Sequence, residues 1–243
     1  MNINKALYRH AAIYFVIFFI LAIWAFWPNY FSHILTGIPF HIHVHGITMS
    51  LWCLTLIAQG FLIRYKQFKI HGIIGKFSYV LAPLIIISGF NTAHVTLSGF
   101  SAHSGPYYSS IALMFNSLLL FGLIYGLAIY HVRKPLVHAR YMVCTLFPMF
   151  TPLTDRLIYV NFRSMVGFFP TIEGLPMVWL FGFGLATILL VLFAIWDWKS
   201  NKRRDVFLTV LALNMAYNIS VIYFHRSPLW RDVGDWIMSL PLS

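Results

Sequence analysis

Seven stretches of this chain are long and apolar enough to cross a lipid bilayer as helices, which takes about 20 mostly apolar residues each. They lie at residues 11–27, 41–63, 71–97, 107–131, 139–160, 175–197 and 205–225. With 60% hydrophobic and 9% charged residues, the chain has too little polar surface to cover a water-soluble globule. We therefore predict an all-α fold, a polytopic bundle of seven transmembrane helices that forms one domain, 1–243, in a lipid bilayer.

The basic residues predict the orientation of this bundle, because cytoplasmic loops retain Lys and Arg. With a cytoplasmic N-terminus, thirteen of the 17 Lys and Arg residues fall on the inner side. The others lie in the outer half of the bundle: Arg156, Arg163, Arg226 and Arg231. An odd number of spans then places the C-terminus outside. The net charge of +11 reflects basic residues that are retained on the cytoplasmic side and attracted to anionic lipid. It does not indicate nucleic-acid binding.

The tail at 227–243 has an amphipathic pattern. Its apolar residues recur at helical spacing: Leu229, Trp230, Val233, Trp236 and Ile237. Acidic and basic residues fall between them. This pattern predicts a short interfacial helix on the outer surface of the membrane, although the groove of a membrane protein partner, or of a second copy of the chain, suits it equally.

Histidine is concentrated at one end of the predicted bundle. Seven of the 11 histidines fall at the outer end: His33, His41, His43, His45, His94, His103 and His225. Imidazole is the commonest protein ligand of transition metals and of haem iron. The cluster therefore predicts a site near a membrane surface without identifying its reaction.

A polar stripe continues from this cluster along the second predicted helix. From His45 it runs through Thr48, Trp52, Thr55 and Gln59, at alternating spacings of three and four. Residues at these spacings share one helix face. Because polar side chains that face lipid lack partners, we expect this face to point into the bundle.

One interpretation of the outer histidines is a metal centre. The candidate ligands are His41, His45, His94 and His225. Since no thiolate lies beside them, zinc or copper is a suitable ion. Asp155, which is an acidic residue inside a predicted span, is the candidate catalytic group; the alternative for Asp155 is a structural ion pair between helices.

On the inner side, His71 and His138 open the third and fifth predicted helices. Two histidines on facing helices are a standard way to hold haem b inside a bundle. Three basic residues are candidates to meet the haem propionates: Arg64, Arg133 and Arg140. The alternative is that both histidines are ordinary residues of the membrane interface.

A family resemblance rests on a short set of motifs. These are His45, Trp52, Gln59, Arg64, His71 and Gly75, followed by the HAR motif at 138–140, Met142 and Arg156. They resemble a group of uncharacterised bacterial multi-pass membrane proteins. More distantly, they are similar to the transmembrane dihaem cytochrome b family of the ascorbate-dependent ferric reductase type.

This resemblance implies a location in the bacterial inner membrane and haem b as the cofactor. In the cytochrome family, four successive helices each supply one haem ligand. The resemblance implies that His71 pairs with His138. It also implies that His45 pairs with a histidine near the start of the fourth helix, for which His103 is the candidate.

Three hypotheses for the function follow. The leading hypothesis is a histidine-bound haem or transition-metal centre that acts in electron transfer at or across the membrane. The second hypothesis is a zinc-dependent membrane hydrolase that activates water at the outer face against a lipid-like substrate. The third hypothesis is a structural or assembly subunit of a membrane complex, whose histidines bind nothing.

Overall fold

The computed structural model describes residues 2–100 and 103–242, which contain nine α-helices. They are α1 (Ile3–Phe26), α2 (Phe40–Arg64), α3 (Phe68–Leu97), α4 (Gly105–Tyr130), α5 (Pro135–Cys144), α6 (Phe150–Asn161), α7 (Trp179–Asn201), α8 (Val206–Tyr223) and α9 (Pro228–Met238). Short 3₁₀ segments cover Phe31–His33, Phe147–Met149, Arg163–Phe168 and Phe224–Arg226. Two antiparallel two-residue strands, β1 (Thr171–Ile172) and β2 (Leu175–Pro176), form a small hairpin.

Six of the helices in this part of the chain are long and apolar enough to cross a membrane: α1, α2, α3, α4, α7 and α8. Their outward surfaces are rich in large apolar side chains, such as Ile87 and Leu119, which are 65% and 60% exposed. Lipid is the solvent that suits such surfaces. The chain is therefore a multi-pass membrane protein with an all-α bundle, as predicted.

The fifth predicted span, at 139–160, is not one helix. The segment forms α5 and α6, which are separated by a 3₁₀ turn with Pro148 at its centre. Proline has no N–H to donate within a helix, and its ring clashes with the preceding turn. The prediction of seven continuous helices is therefore wrong at this position, because neither α5 nor α6 is long enough to cross a bilayer alone.

The bundle has two chemically different ends, because sequential helices that are joined by short connections pack against one another in opposite directions. The end that we call the basic end carries Arg64, Lys66, Lys69, Arg133, Lys134, Lys199, Lys202, Arg203 and Arg204. The end that we call the histidine end carries His33, His41, His43, His94, His103 and His225. His45 lies about 8 Å below the start of α2, at 1.5 Å per residue.

The predicted polar stripe of α2 does face the interior. Thr48, Trp52 and Thr55 are buried, and the Trp52 ring packs edge-on against Phe121 and Tyr125 of α4. This confirms the interpretation of the spacing. The stripe places His45 at one end of an interior face and Gln59 near the other.

The amphipathic tail forms α9, which confirms a short helix in this segment. Its Trp230 Nε1 donates to the Tyr108 carbonyl at 3.1 Å, and the Tyr108 hydroxyl donates to the Asp235 carboxylate at 2.9 Å. Ile237 is buried beside the start of α4. Part of the apolar face of α9 is therefore covered by the chain itself.

Candidate functional site

The structure places the two inner histidines that the sequence singles out at the same end of the bundle. His71 lies in the first turn of α3 and His138 in the first turn of α5, both at the basic end. The charge of His138 influences His71, so the two imidazoles lie within electrostatic range of each other.

The ring of His138 is oriented by the backbone of α4. Its Nδ1 lies 2.9 Å from the Ala128 carbonyl oxygen. Because a carbonyl only accepts, Nδ1 carries the proton and Nε2 carries a lone pair. A backbone carbonyl that orients a histidine in this way is typical of histidine ligands of metals.

The ring of His71 has a nitrogen without a partner. Within the described residues, its buried Nδ1 makes no hydrogen bond. The Gln59 Nε2 donates to the His71 carbonyl at 3.1 Å, while the Gln59 Oε1 is buried and also unpaired. Leaving a buried polar atom unpaired costs about 1–3 kcal/mol, so these atoms mark a polar environment that the chain alone does not satisfy.

Arg140, one of the predicted partners of the haem propionates, is bound to other residues of the chain. The Arg140 side chain is fully buried, and its guanidinium donates to the Asp197 carboxylate at 2.7 and 2.8 Å and to the Asn4 Oδ1 at 2.6 Å. Arg140 is therefore a structural residue, and its prediction as a propionate partner is wrong. The exposed Arg64 and Arg133 remain available.

At the histidine end, His45 belongs to a polar cluster between α2 and α3. Its Nδ1 lies 3.2 Å from the Ser88 Oγ, while the hydroxyls of Ser88 and Thr48 donate to the carbonyls of Ile85 and His45. The Ser88 and Thr48 hydroxyl oxygens are also 3.1 Å apart, so the three side chains form one hydrogen-bonded group. Gly89 makes room for the His45 ring: a Cβ there would lie 3.1 Å from the His45 Cε1.

His103 contacts other groups. Its side chain is 74% exposed, and its Nδ1 lies 3.0 Å from the Tyr108 hydroxyl and 3.7 Å from the Asp235 Oδ1. No hydrogen bond joins His45 and His103 in the described part of the chain. The outer histidine pair that the family resemblance implies stays a prediction.

The four outer candidate metal ligands are not assembled. His41 uses its carbonyl to accept from the Thr92 hydroxyl, whereas His94 and His225 are buried with unpaired ring nitrogens. Within residues 2–100 and 103–242, no three His, Cys, Asp or Glu side chains form a group that could hold a metal ion. The zinc-dependent hydrolase stays a prediction.

Asp155 and its neighbour Arg156 point in different directions, as expected for adjacent helical residues. The Asp155 Oδ1 is buried and has no hydrogen-bond partner among the described residues. Arg156, in contrast, lines a cavity at the histidine end. The catalytic role of Asp155 stays a prediction.

That cavity lies between α1, α2, α3, α4 and α6 and has a volume of about 360 Å³. Its polar lining includes Asn29, Tyr30, His45 and Arg156. Tyr30 precedes α2, and burial raises the pKa of its hydroxyl, which therefore stays neutral. The rest of the lining is largely apolar.

Glu173 is a functional candidate that the sequence interpretation missed. It lies in the hairpin turn with a positive φ of 48°, and its carboxylate accepts from the Gly105 N–H at 3.2 and 3.3 Å. A carboxylate at a helix N-terminus is stabilised by the helix dipole, so Glu173 fixes the start of α4. The available signal was rarity, because the chain has only 6 acidic residues.

Comparisons of this chain with known protein families, with curated proteins and with solved structures found no match.

Proposed function

We propose that this chain is a membrane-embedded electron-transfer protein that holds haem b between His71 and His138 at the basic end of the bundle. One observation supports this proposal above all others. Two imidazoles on different helices at the same end of the bundle lie within electrostatic range of each other. Each has a ring nitrogen without a hydrogen bond within the described residues, His71 through its Nδ1 and His138 through its Nε2.

The chemistry of the donors suits this cofactor. Haem b is held by axial histidines, and when bound it supplies a one-electron redox centre. The Ala128 carbonyl holds the proton on the His138 Nδ1, which keeps Nε2 free to coordinate. Arg64 and Arg133 at the same end are the cations that would pair with the two propionates.

The proposal includes a complete topology. α5 starts at the basic end, where Arg140 contacts Asp197 near the end of α7. α6 packs with Thr151 and Thr154 against Gly182 near the start of α7. We propose that α5 and α6 together make a seventh crossing, with the basic end in the cytoplasm of a bacterial cell and the C-terminus outside its inner membrane.

The test is an optical spectrum of the purified protein together with a measurement of haem per chain. We expect a Soret band, one haem per chain and loss of that haem in H71A and in H138A, because each variant removes one axial ligand. H131A is the matched control. His131 lies at the same end, but its Nδ1 donates to the Leu127 carbonyl and its ring stacks on Tyr141.

Two results would contradict the proposal. One is wild-type protein without haem absorbance after expression with ample haem supply. The other is an unchanged spectrum in H71A and H138A. Stoichiometric zinc in a sample without a Soret band would favour the hydrolase hypothesis instead.

A further inference from the structure

The cavity at the histidine end has the dimensions of a site for one extended molecule. On α2 its lining runs from Ile42 to Cys53, which is about 16 Å along the helix at 1.5 Å per residue. Its volume of about 360 Å³ falls in the range of small-molecule pockets, about 300–1,000 Å³. This length and volume suit a single alkyl chain.

The polarity of the lining changes along the cavity. Asn29 and Arg156 lie close to the histidine end, since Asn29 follows the end of α1 and Arg156 is in the last turns of α6. Phe18, Cys53 and Met149 line the part nearer the middle of the bundle. An amphiphile that inserts from the histidine end, with its head outermost, has the same order of polarity.

Arg156 indicates that the head group of such an amphiphile is negatively charged. Its exposed guanidinium makes no hydrogen bond or ion pair with the described residues, whereas the buried Arg140 and the partly exposed Arg203 are paired with Asp197 and Asp205. The acid next to it, Asp155, does not line the cavity. Asp155 interacts electrostatically with Arg156 from outside the cavity. Among the lining residues that the structure describes, Arg156 is the only one that carries a permanent charge. Carboxylate and phosphate are the groups that suit a guanidinium best.

We propose that this cavity binds a single-chain anionic amphiphile, with its carboxylate or phosphate on Arg156 and its alkyl chain along Phe18, Cys53 and Met149. Both head groups present oxygen anions to the planar guanidinium. The site does not depend on haem, because the cavity and the His71–His138 pair lie at opposite ends of the bundle.

The test measures equilibrium binding of three radiolabelled probes to the full chain in phosphatidylcholine nanodiscs, with empty nanodiscs subtracted. Dodecanoate, dodecyl phosphate and dodecanol each have twelve carbons in one unbranched chain, and they differ in the head group. We expect saturable binding of at least one anion, one molecule per chain, at least tenfold tighter than dodecanol. The tighter of the two anions identifies a fatty acid or a phosphate lipid as the source.

Two pairs of variants separate the head from the chain. R156Q removes the cation, and R163Q is its control, because Arg163 is exposed and lies outside the cavity. A22F narrows the cavity from α1, and I20F is its control, because Ile20 is 58% exposed and lies outside the cavity. We expect R156Q to weaken anion binding at least tenfold with little effect on dodecanol, and A22F to weaken all three probes.

Anion binding that R156Q leaves unchanged would overturn the proposal, as would dodecanol binding as tight as both anions. R156Q is the deciding variant, since Arg156 is exposed and its replacement does not disturb the packing of the bundle. Melting temperatures of all four variants, compared with the wild type, verify that each one is folded.

Discussion

Among single residues, Arg140 makes the most extensive set of buried polar contacts at the basic end. Its guanidinium reaches Asp197 on α7 and Asn4 on α1, so one side chain joins three helices. Asn201 also donates to the Asp197 carboxylate at 2.7 Å. Removing one partner of such a buried pair leaves an uncompensated charge, which typically costs about 3–5 kcal/mol.

We predict that D197L lowers the free energy of unfolding by about 3 kcal/mol, because the Arg140 charge stays buried without its counter-ion. The double variant R140L/D197L should be more stable than D197L, since no buried charge remains. Thermal unfolding in detergent measures both effects. R203Q is the control, because it breaks a partly exposed pair with Asp205, worth about 0–1 kcal/mol.

A double variant that is less stable than D197L would contradict this interpretation. Arg140 would then contribute through its other contacts, such as the bond from its guanidinium to the Leu136 carbonyl, and not chiefly as the counter-ion of Asp197.

At the scale of elements, the break between α5 and α6 depends on local sequence, whereas the position of α9 depends on contacts with distant residues. Pro148 interrupts the segment between α5 and α6 by a local mechanism, since it cannot donate within a helix. α9 is also amphipathic by local pattern, but its position depends on Tyr108 and Gly234. A Cβ on Gly234 would lie 3.2 Å from atoms of both Ile111 and Tyr108.

We predict that G234L releases α9 from α4, because the larger side chain has no room against Tyr108 and Ile111. Overpacking of this kind typically costs about 1–3 kcal/mol. Hydrogen exchange across residues 228–238 should become faster in G234L. V233L, at the exposed neighbouring position, should exchange like the wild type.

Unchanged exchange in G234L would show that the membrane surface, and not α4, holds α9 in place. Such a result would restore the purely interfacial interpretation of the tail.

At the scale of the whole molecule, charge is distributed unevenly between the two ends. The basic end carries most of the lysines and arginines, whereas the histidine end carries most of the histidines together with Glu173 and Asp235. Basic residues are retained on the cytoplasmic side of a membrane. The number of crossings then decides whether the C-terminus lies on the same side as the N-terminus.

We predict that alkaline phosphatase fused after residue 166 or residue 238 is active, because both points lie at the histidine end, which the proposed topology places outside the inner membrane. A fusion after residue 203 should be inactive, since this point follows α7 at the basic end. A fluorescent protein that folds only in the cytoplasm, fused at the same three points, should give the opposite result: fluorescence after residue 203 and none after residue 166 or residue 238. An inactive fusion after residue 166, with an active fusion after residue 203, would show that α5 and α6 do not complete a crossing in the proposed direction.

The sequence by itself determined the features that depend on neighbouring residues in the chain. Hydropathy over about 20 residues identifies the six continuous spans, and the spacing from His45 to Thr55 identifies the interior face of α2. The tail was predicted as a helix for the same reason. Pro148 is also present in the sequence, but the hydropathy averaged over the fifth span does not show that it interrupts the helix.

Only the tertiary structure decided which distant side chains meet. It pairs Arg140 with Asp197, 57 positions away, and Glu173 with Gly105, 68 positions away. It also places His71 and His138 at one end of the bundle while giving His45 and His103 different partners. Hydropathy is summed along the chain, whereas a site requires a particular rotation and depth of each helix, and these follow from side-chain packing across the whole bundle.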